Sequence, residues 1–145
     1  APEMQEQKNE PVYHLSDPAW RFTSNQAPRG YIQPEKLDEL WFHTGTRCNL
    51  RCPFCFEGSS PQANRVQELN LEDVKPIIDE ALTLGVERFS FTGGEPMVVE
   101  QIIEILNYAL SFKPCLVLTN ATLPLLKLMD KLAALTEKNH PLRFR

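Results

Sequence analysis

The sequence predicts an α/β fold built on a parallel sheet. Two observations carry that prediction. From residue 40 onward, short segments of strand character alternate with longer segments whose apolar residues recur at helical spacing. Each interval between strands holds a helix, the connection that parallel strands require.

Leu40 to Thr46 (LWFHTGT) has the aromatic and β-branched content of a buried strand and runs straight into a cysteine-bearing loop. Asn70 is positioned as an N-cap, Glu72 and Asp73 suit a helix N-terminus, and Val74, Ile77, Ile78, Ala81 and Leu82 recur at helical spacing up to Gly85, a C-cap residue. Pro76 is expected to kink this helix or delay its start. Val86 to Thr92 (VERFSFT) reads as a second strand, ending in Gly93-Gly94-Glu95-Pro96, and Val98 to Leu110 as a second amphipathic helix. Cys115 to Thr119 (CLVLT) is a third strand, Leu125 to Leu135 a third helix, and Leu142 to Arg145 the start of a fourth strand.

The first part of the chain reads differently. Five of the 12 prolines fall before residue 38, among isolated aromatics (Tyr13, Trp20, Phe22, Tyr31) with no helical or strand period. Residues 1–37 are therefore expected to form a proline-rich arm that drapes over the folded portion, residues 38–145, through its aromatics.

Composition narrows the function. With 145 residues, 42% hydrophobic and 23% charged, the chain has the make-up of one soluble globular domain. A net charge of −4 supplies no long-range attraction for phosphate backbones or anionic lipid, so no general nucleic-acid binding is expected. No apolar run approaches the roughly 20 residues of a bilayer-spanning helix, which points to a cytoplasmic protein without a membrane partner.

Three of the four cysteines, Cys48, Cys52 and Cys55, share one eight-residue window, a crowding that favours metal over crosslinks. A cubane iron-sulfur cluster normally takes four cysteine ligands, so three on one loop leave one iron open to a small molecule. A structural zinc site needs a fourth Cys or His, yet His43 precedes the loop, His140 is distant and Cys115 sits inside an apolar strand. A non-catalytic zinc or iron-sulfur electron-transfer module is the alternative reading.

The segment CNLRCPFC, with Phe54 just before the last cysteine, and the strand-end segment Thr92-Gly93-Gly94-Glu95-Pro96 together resemble the radical SAM superfamily, from about residue 40 to the end of the chain. The resemblance implies a partial (β/α) TIM-like barrel, a 4Fe–4S cluster on Cys48, Cys52 and Cys55, and S-adenosylmethionine chelating the open iron. It implies reductive cleavage of S-adenosylmethionine to a 5′-deoxyadenosyl radical, which takes a hydrogen atom from substrate. Phe54 would lie beside the adenine, Gly93 and Gly94 would let backbone groups approach the ligand, and Glu95 would contact its ammonium. Thr92, Pro96 and Asn120 belong to the same cofactor edge, although a turn-forming Asn120 is an equal reading.

Asn49 is expected to hold the cysteine loop through backbone hydrogen bonds. His43 shares a strand face with Trp41 and Gly45 and reaches substrate only if that face looks into the barrel. Arg47 and Arg51, which flank Cys48, could raise the cluster potential or receive the acidic surface of a flavodoxin- or ferredoxin-like electron donor. The wording of both motifs is most similar to the branch containing molybdenum-cofactor biosynthesis and peptide-modifying members, so the substrate is expected to be a small molecule or a peptide. The family's barrel needs more strand-helix units than three and the start of a fourth. The chain is therefore expected to be the N-terminal part of a larger enzyme, weakly soluble and inactive alone.

Overall fold

The computed structural model describes residues 21–30 and 35–145. The chain divides into two compact units, Ala1–Pro34 and Glu35–Arg145. In the first, Phe22 and Pro28 form an antiparallel bridge, closed by Arg29 N donating to Arg21 O at 2.9 Å. Of the four aromatics on which the draping expectation rests, Tyr13, Trp20 and Tyr31 lie outside the described residues.

The second unit is a four-stranded parallel sheet in the order β1-β2-β3-β4, with strands Glu39–His43, Arg88–Thr92, Cys115–Val117 and Leu142–Phe144. Helices α1 (Leu71–Thr83), α2 (Ile102–Leu110) and α3 (Leu123–Lys138) connect successive strands. The alternation read from the sequence is thus the architecture observed.

Side-chain alternation along the strands separates two faces. Phe42, Phe89, Phe91, Cys115 and Val117 join Val74, Ile78, Ile105, Leu106 and Leu110 of the helices in one buried core. Phe42 stacks on Phe91 with ring centroids 5.3 Å apart. The opposite face carries Glu39, Trp41, His43 and Ser90, and there the Glu39 carboxylate accepts from Ser90 Oγ at 2.7 Å and from Arg88 Nε at 2.8 Å. These bonds hold the Glu39 carboxyl below its ordinary value, the Ser90 hydroxyl contributing most. His43 therefore lies on the face turned away from the helices.

Element ends differ from expectation for local reasons. Helix α1 begins at Leu71, before Pro76, so proline does not delay its start. The Asn70 side chain accepts from Asp73 N at 2.9 Å, and burial of Val74, Ile78 and Ala81 outweighs the one backbone bond that Pro76 cannot make. Gly85, with φ of 82°, follows the last turn in the left-handed conformation expected of a helix stop. Helix α2 starts at Ile102 rather than Val98, because residues 96–98 form a separate 3-10 turn and Val99 is extended. Helix α3 starts at Leu123, with Pro124 in the first turn, where its missing N–H costs nothing.

Cys115 is a buried strand residue, and burial pushes its thiol from an ordinary 9.0 up to about 12. In the unfolded chain the thiol ionises first, so its contribution to stability is complete below pH 9.0 and is lost as pH rises toward about 12. Urea midpoints are expected to fall across that window, with a smaller fall in Cys115→Ala. At about pH 8, iodoacetamide should modify the exposed Cys52 and spare Cys115.

Candidate functional site

In a parallel sheet all strand ends point one way, so the segments following β1, β2 and β3 meet at one edge. There the first ladder continues past the strands: Thr44 N donates to Thr92 O at 2.7 Å, Gly94 N to Gly45 O at 2.8 Å and Glu95 N to Arg47 O at 3.1 Å. The base of the cysteine loop is thereby hydrogen-bonded to the turn that leaves β2.

That contact explains the two glycines. A Cβ on Gly94 would stand 2.3 Å from Arg47 O, and one on Gly93 would stand 2.6 Å from Thr44 Oγ1 and 2.7 Å from Gly45 O. Gly93 also has φ of 150°, which side chains rarely adopt. The close approach anticipated toward a ligand is, in the first instance, an approach to the chain's own backbone.

Glu95 is buried. Its Oε1 accepts from Thr119 Oγ1 at 2.6 Å and Met97 N at 3.1 Å, and its Oε2 accepts from Asn120 N at 2.7 Å. One carboxylate thus caps the 3-10 turn of Pro96–Val98 and ties it to the exit of β3. Pro96 is buried at the start of that turn, and Thr92 is the register partner of His43.

The three cysteines differ in setting. Cys48 is buried and receives Leu50 N at 3.4 Å and Asn120 Nδ2 at 3.7 Å on its sulfur, whereas Cys52 is exposed and Cys55 half-buried. Backbone N–H groups of Ser59, then of Glu57 and Gly58, hold the Cys55 thiol below its ordinary value, against partial desolvation. Among the described residues no three His, Cys, Asp or Glu side chains converge as a formed metal site. What fits a 4Fe–4S cluster is the donor chemistry: three thiols on one short loop, with backbone N–H groups favouring the thiolate at Cys55.

Phe54 is 87% exposed and is no part of the core, so plain packing does not account for it. Phe56, which no sequence pattern marks, is fully exposed beside it. Asn49 makes side-chain rather than backbone bonds, donating to Thr122 Oγ1 at 2.9 Å and accepting from Asn120 Nδ2 at 3.0 Å. The backbone role expected of it is therefore corrected. The reason is proximity: the start of α3 faces the cysteine loop and offers polar side chains.

Two acidic residues that the sequence reading missed organise the loop. Arg47 pairs with Glu68 at 2.7 Å and donates to Val98 O, while Glu68 also accepts from Glu100 N at 3.1 Å. His43 Nδ1 accepts from Gly45 N at 3.2 Å, which leaves Nε2 to donate to Glu57 at 3.3 Å. Arg51 is engaged with Gln62. Neither acid sits in a motif or a periodic pattern, so only the folded loop reveals its partner.

The pattern of the Radical SAM superfamily matches residues 42–141. GTP 3′,8-cyclase of Ectopseudomonas mendocina (strain ymp) is 38% identical over 61 residues, covering 42% of this chain and 18% of that protein. The antilisterial bacteriocin subtilosin biosynthesis protein AlbA of Bacillus subtilis (strain 168) is 40% identical over 83 residues, covering 57% of this chain and 18% of its own. The chain thus spans about a fifth of the length of the curated relatives it matches. Among solved structures, BtrN in complex with AdoMet and 2-DOIA shares the fold, with a TM-score of 0.53 at 17% identity, covering 74% of this chain and 44% of that one.

Proposed function

This chain belongs to the radical SAM superfamily, and from that premise we propose that it holds a 4Fe–4S cluster on Cys48, Cys52 and Cys55 and binds S-adenosylmethionine along the edge formed by Phe54, Thr92 to Pro96 and Asn120. The carrying observation is the hydrogen-bonded union of the cysteine loop with the Gly93–Pro96 turn, through Gly94 N to Gly45 O and Glu95 N to Arg47 O. It supports the reading because cluster and ligand must share one rigid frame for an electron to reach the bond it breaks.

When bound, the cluster supplies one electron that splits S-adenosylmethionine into methionine and a 5′-deoxyadenosyl radical, the species that removes hydrogen from substrate. The chain's own residues supply position. The thiolates of Cys48, Cys52 and Cys55 would hold the cluster, three ligands for a group that normally takes four. Glu95 keeps the β2 and β3 exits together, so Gly93 and Gly94 present backbone groups at a fixed place. Phe54, already exposed, offers a ring for an adenine to lie against. The electron comes from a flavodoxin- or ferredoxin-like donor, and the substrate is a small molecule or a peptide. A cytoplasmic setting belongs to the same proposal, and no helix among the described residues is long and apolar enough to cross a membrane.

The test is anaerobic reconstitution of the full-length protein with iron and sulfide, followed by dithionite and S-adenosylmethionine. Four irons per chain at this site and formation of 5′-deoxyadenosine are expected. Stoichiometric zinc with no 5′-deoxyadenosine would instead identify a non-catalytic metal module.

A further inference from the structure

The exit of β3 carries a residue that reaches the cysteine loop from across the site. After Val117 the backbone still pairs with β2 through Leu118 N and Phe91 O at 3.0 Å, then turns through Ala121, whose φ is 55°, into α3. Asn120 sits in that turn and uses both ends of its carboxamide. Its Oδ1 accepts from Thr122 N at 3.2 Å and Thr122 Oγ1 at 2.6 Å. Its Nδ2 donates to Asn49 Oδ1 at 3.0 Å and faces Cys48 Sγ at 3.7 Å.

The orientation of this amide is fixed by its partners. A backbone N–H can only donate, so the atom facing Thr122 N must be the oxygen, and the NH2 group is then directed at Cys48. The backbone of Asn120 is anchored as well, because its N–H donates to Glu95 Oε2 at 2.7 Å and that carboxylate is 1% exposed. The Asn120 side chain is therefore held against the sulfur by a buried acceptor on one side and a helix start on the other.

We propose that Asn120 is a positioning residue for Cys48, holding its thiolate and raising the reduction potential of the cluster that Cys48 ligates. The inference rests on the functional reading above. Hydrogen bonds to ligand sulfur withdraw charge from the iron-sulfur unit and favour the reduced state. The other donor to this sulfur, Leu50 N at 3.4 Å, belongs to the backbone and survives any substitution. Asn120 supplies the donor that a side chain can give or withhold. This assignment also separates Asn120 from a simple turn residue, since the turn uses only its oxygen.

Two variants distinguish the roles. Asn120→Asp keeps an oxygen for Thr122 N and removes the donor to Cys48, whereas Asn120→Ala removes both. Each is made in the full-length protein, reconstituted anaerobically, assayed for iron and sulfide, and titrated by EPR to obtain the midpoint potential of the one-electron couple. Both variants are expected to carry wild-type iron and to titrate at a more negative potential than wild type. Loss of iron in both, with wild-type circular dichroism, overturns the assignment to the potential, since a turn residue that only shapes the loop gives the same result. A fully loaded Asn120→Ala titrating at the wild-type potential overturns the inference, and so does loss of the fold in both variants, which returns Asn120 to the turn. Wild-type protein that takes up no cluster defeats the functional reading itself, and the inference with it.

Discussion

Cys52→Ala in the full-length protein is expected to lose the 4Fe–4S cluster and with it all cleavage of S-adenosylmethionine. The argument is one of ligand count. The three thiolates would serve four irons, and among the described residues His43 is committed to Gly45 N and Glu57 and Cys115 to the core. Cys52 is also the exposed member of the three, so its loss opens no cavity in the core and costs little stability. Iron content and 5′-deoxyadenosine should fall to background while the urea midpoint of the apoprotein stays near wild type. Cys115→Ala is the complementary control, expected to keep the cluster at a cost of about 1 kcal/mol for a small buried group. A Cys52→Ala protein retaining a full cluster would show that the ligand assignment is wrong.

Gly94→Ala has the largest expected effect on the architecture of the site. Its Cβ would fall 2.3 Å from Arg47 O, 2.8 Å from Arg47 C and 2.8 Å from Thr46 O, all backbone atoms that no rotamer change can move aside. Relief requires the cysteine loop to separate from the β2 exit, which sacrifices the bonds from Gly94 N to Gly45 O and from Glu95 N to Arg47 O. Overpacking of this kind costs about 3 kcal/mol, and the displacement should also weaken S-adenosylmethionine binding. Gly58→Ala is the contrasting change: nothing lies within 4 Å of the new Cβ, and only the positive φ of 62° is strained. Its expected cost is about 1 kcal/mol. Chemical denaturation of both variants checks the ratio, and equal midpoints would show that the loop yields more readily than its contacts suggest.

Much of this was legible in the sequence, and the residues show why. Strand segments such as VERFSFT announce themselves because Phe89 and Phe91 alternate with polar positions, and α1 because Val74, Ile78 and Ala81 share a buried face. These are local signals repeated several times. The start of α2 is not legible, because Val98 fits a helical period while Glu95 caps a separate 3-10 turn. Glu95 itself could be singled out but not understood: its partners Thr119 and Asn120 lie 24 and 25 residues downstream, and only the parallel pairing of β2 with β3 brings them together. The glycines belong to the same motif, yet the atoms they admit belong to Arg47 and Thr44, on the neighbouring strand's exit. Glu57 and Glu68 carried no signal at all, since a single carboxylate in an irregular loop has no period and no fixed distance from its cation.

The central claim is that the cysteine loop and the Gly93–Pro96 turn form one site in which a cluster and S-adenosylmethionine meet. It is tested most directly by the EPR spectrum of the reduced, reconstituted full-length protein, recorded with and without S-adenosylmethionine. A 4Fe–4S signal that shifts on addition of S-adenosylmethionine is predicted, because ligand binding at the open iron changes the cluster's surroundings. A fully loaded cluster whose signal is the same in both spectra would contradict the account.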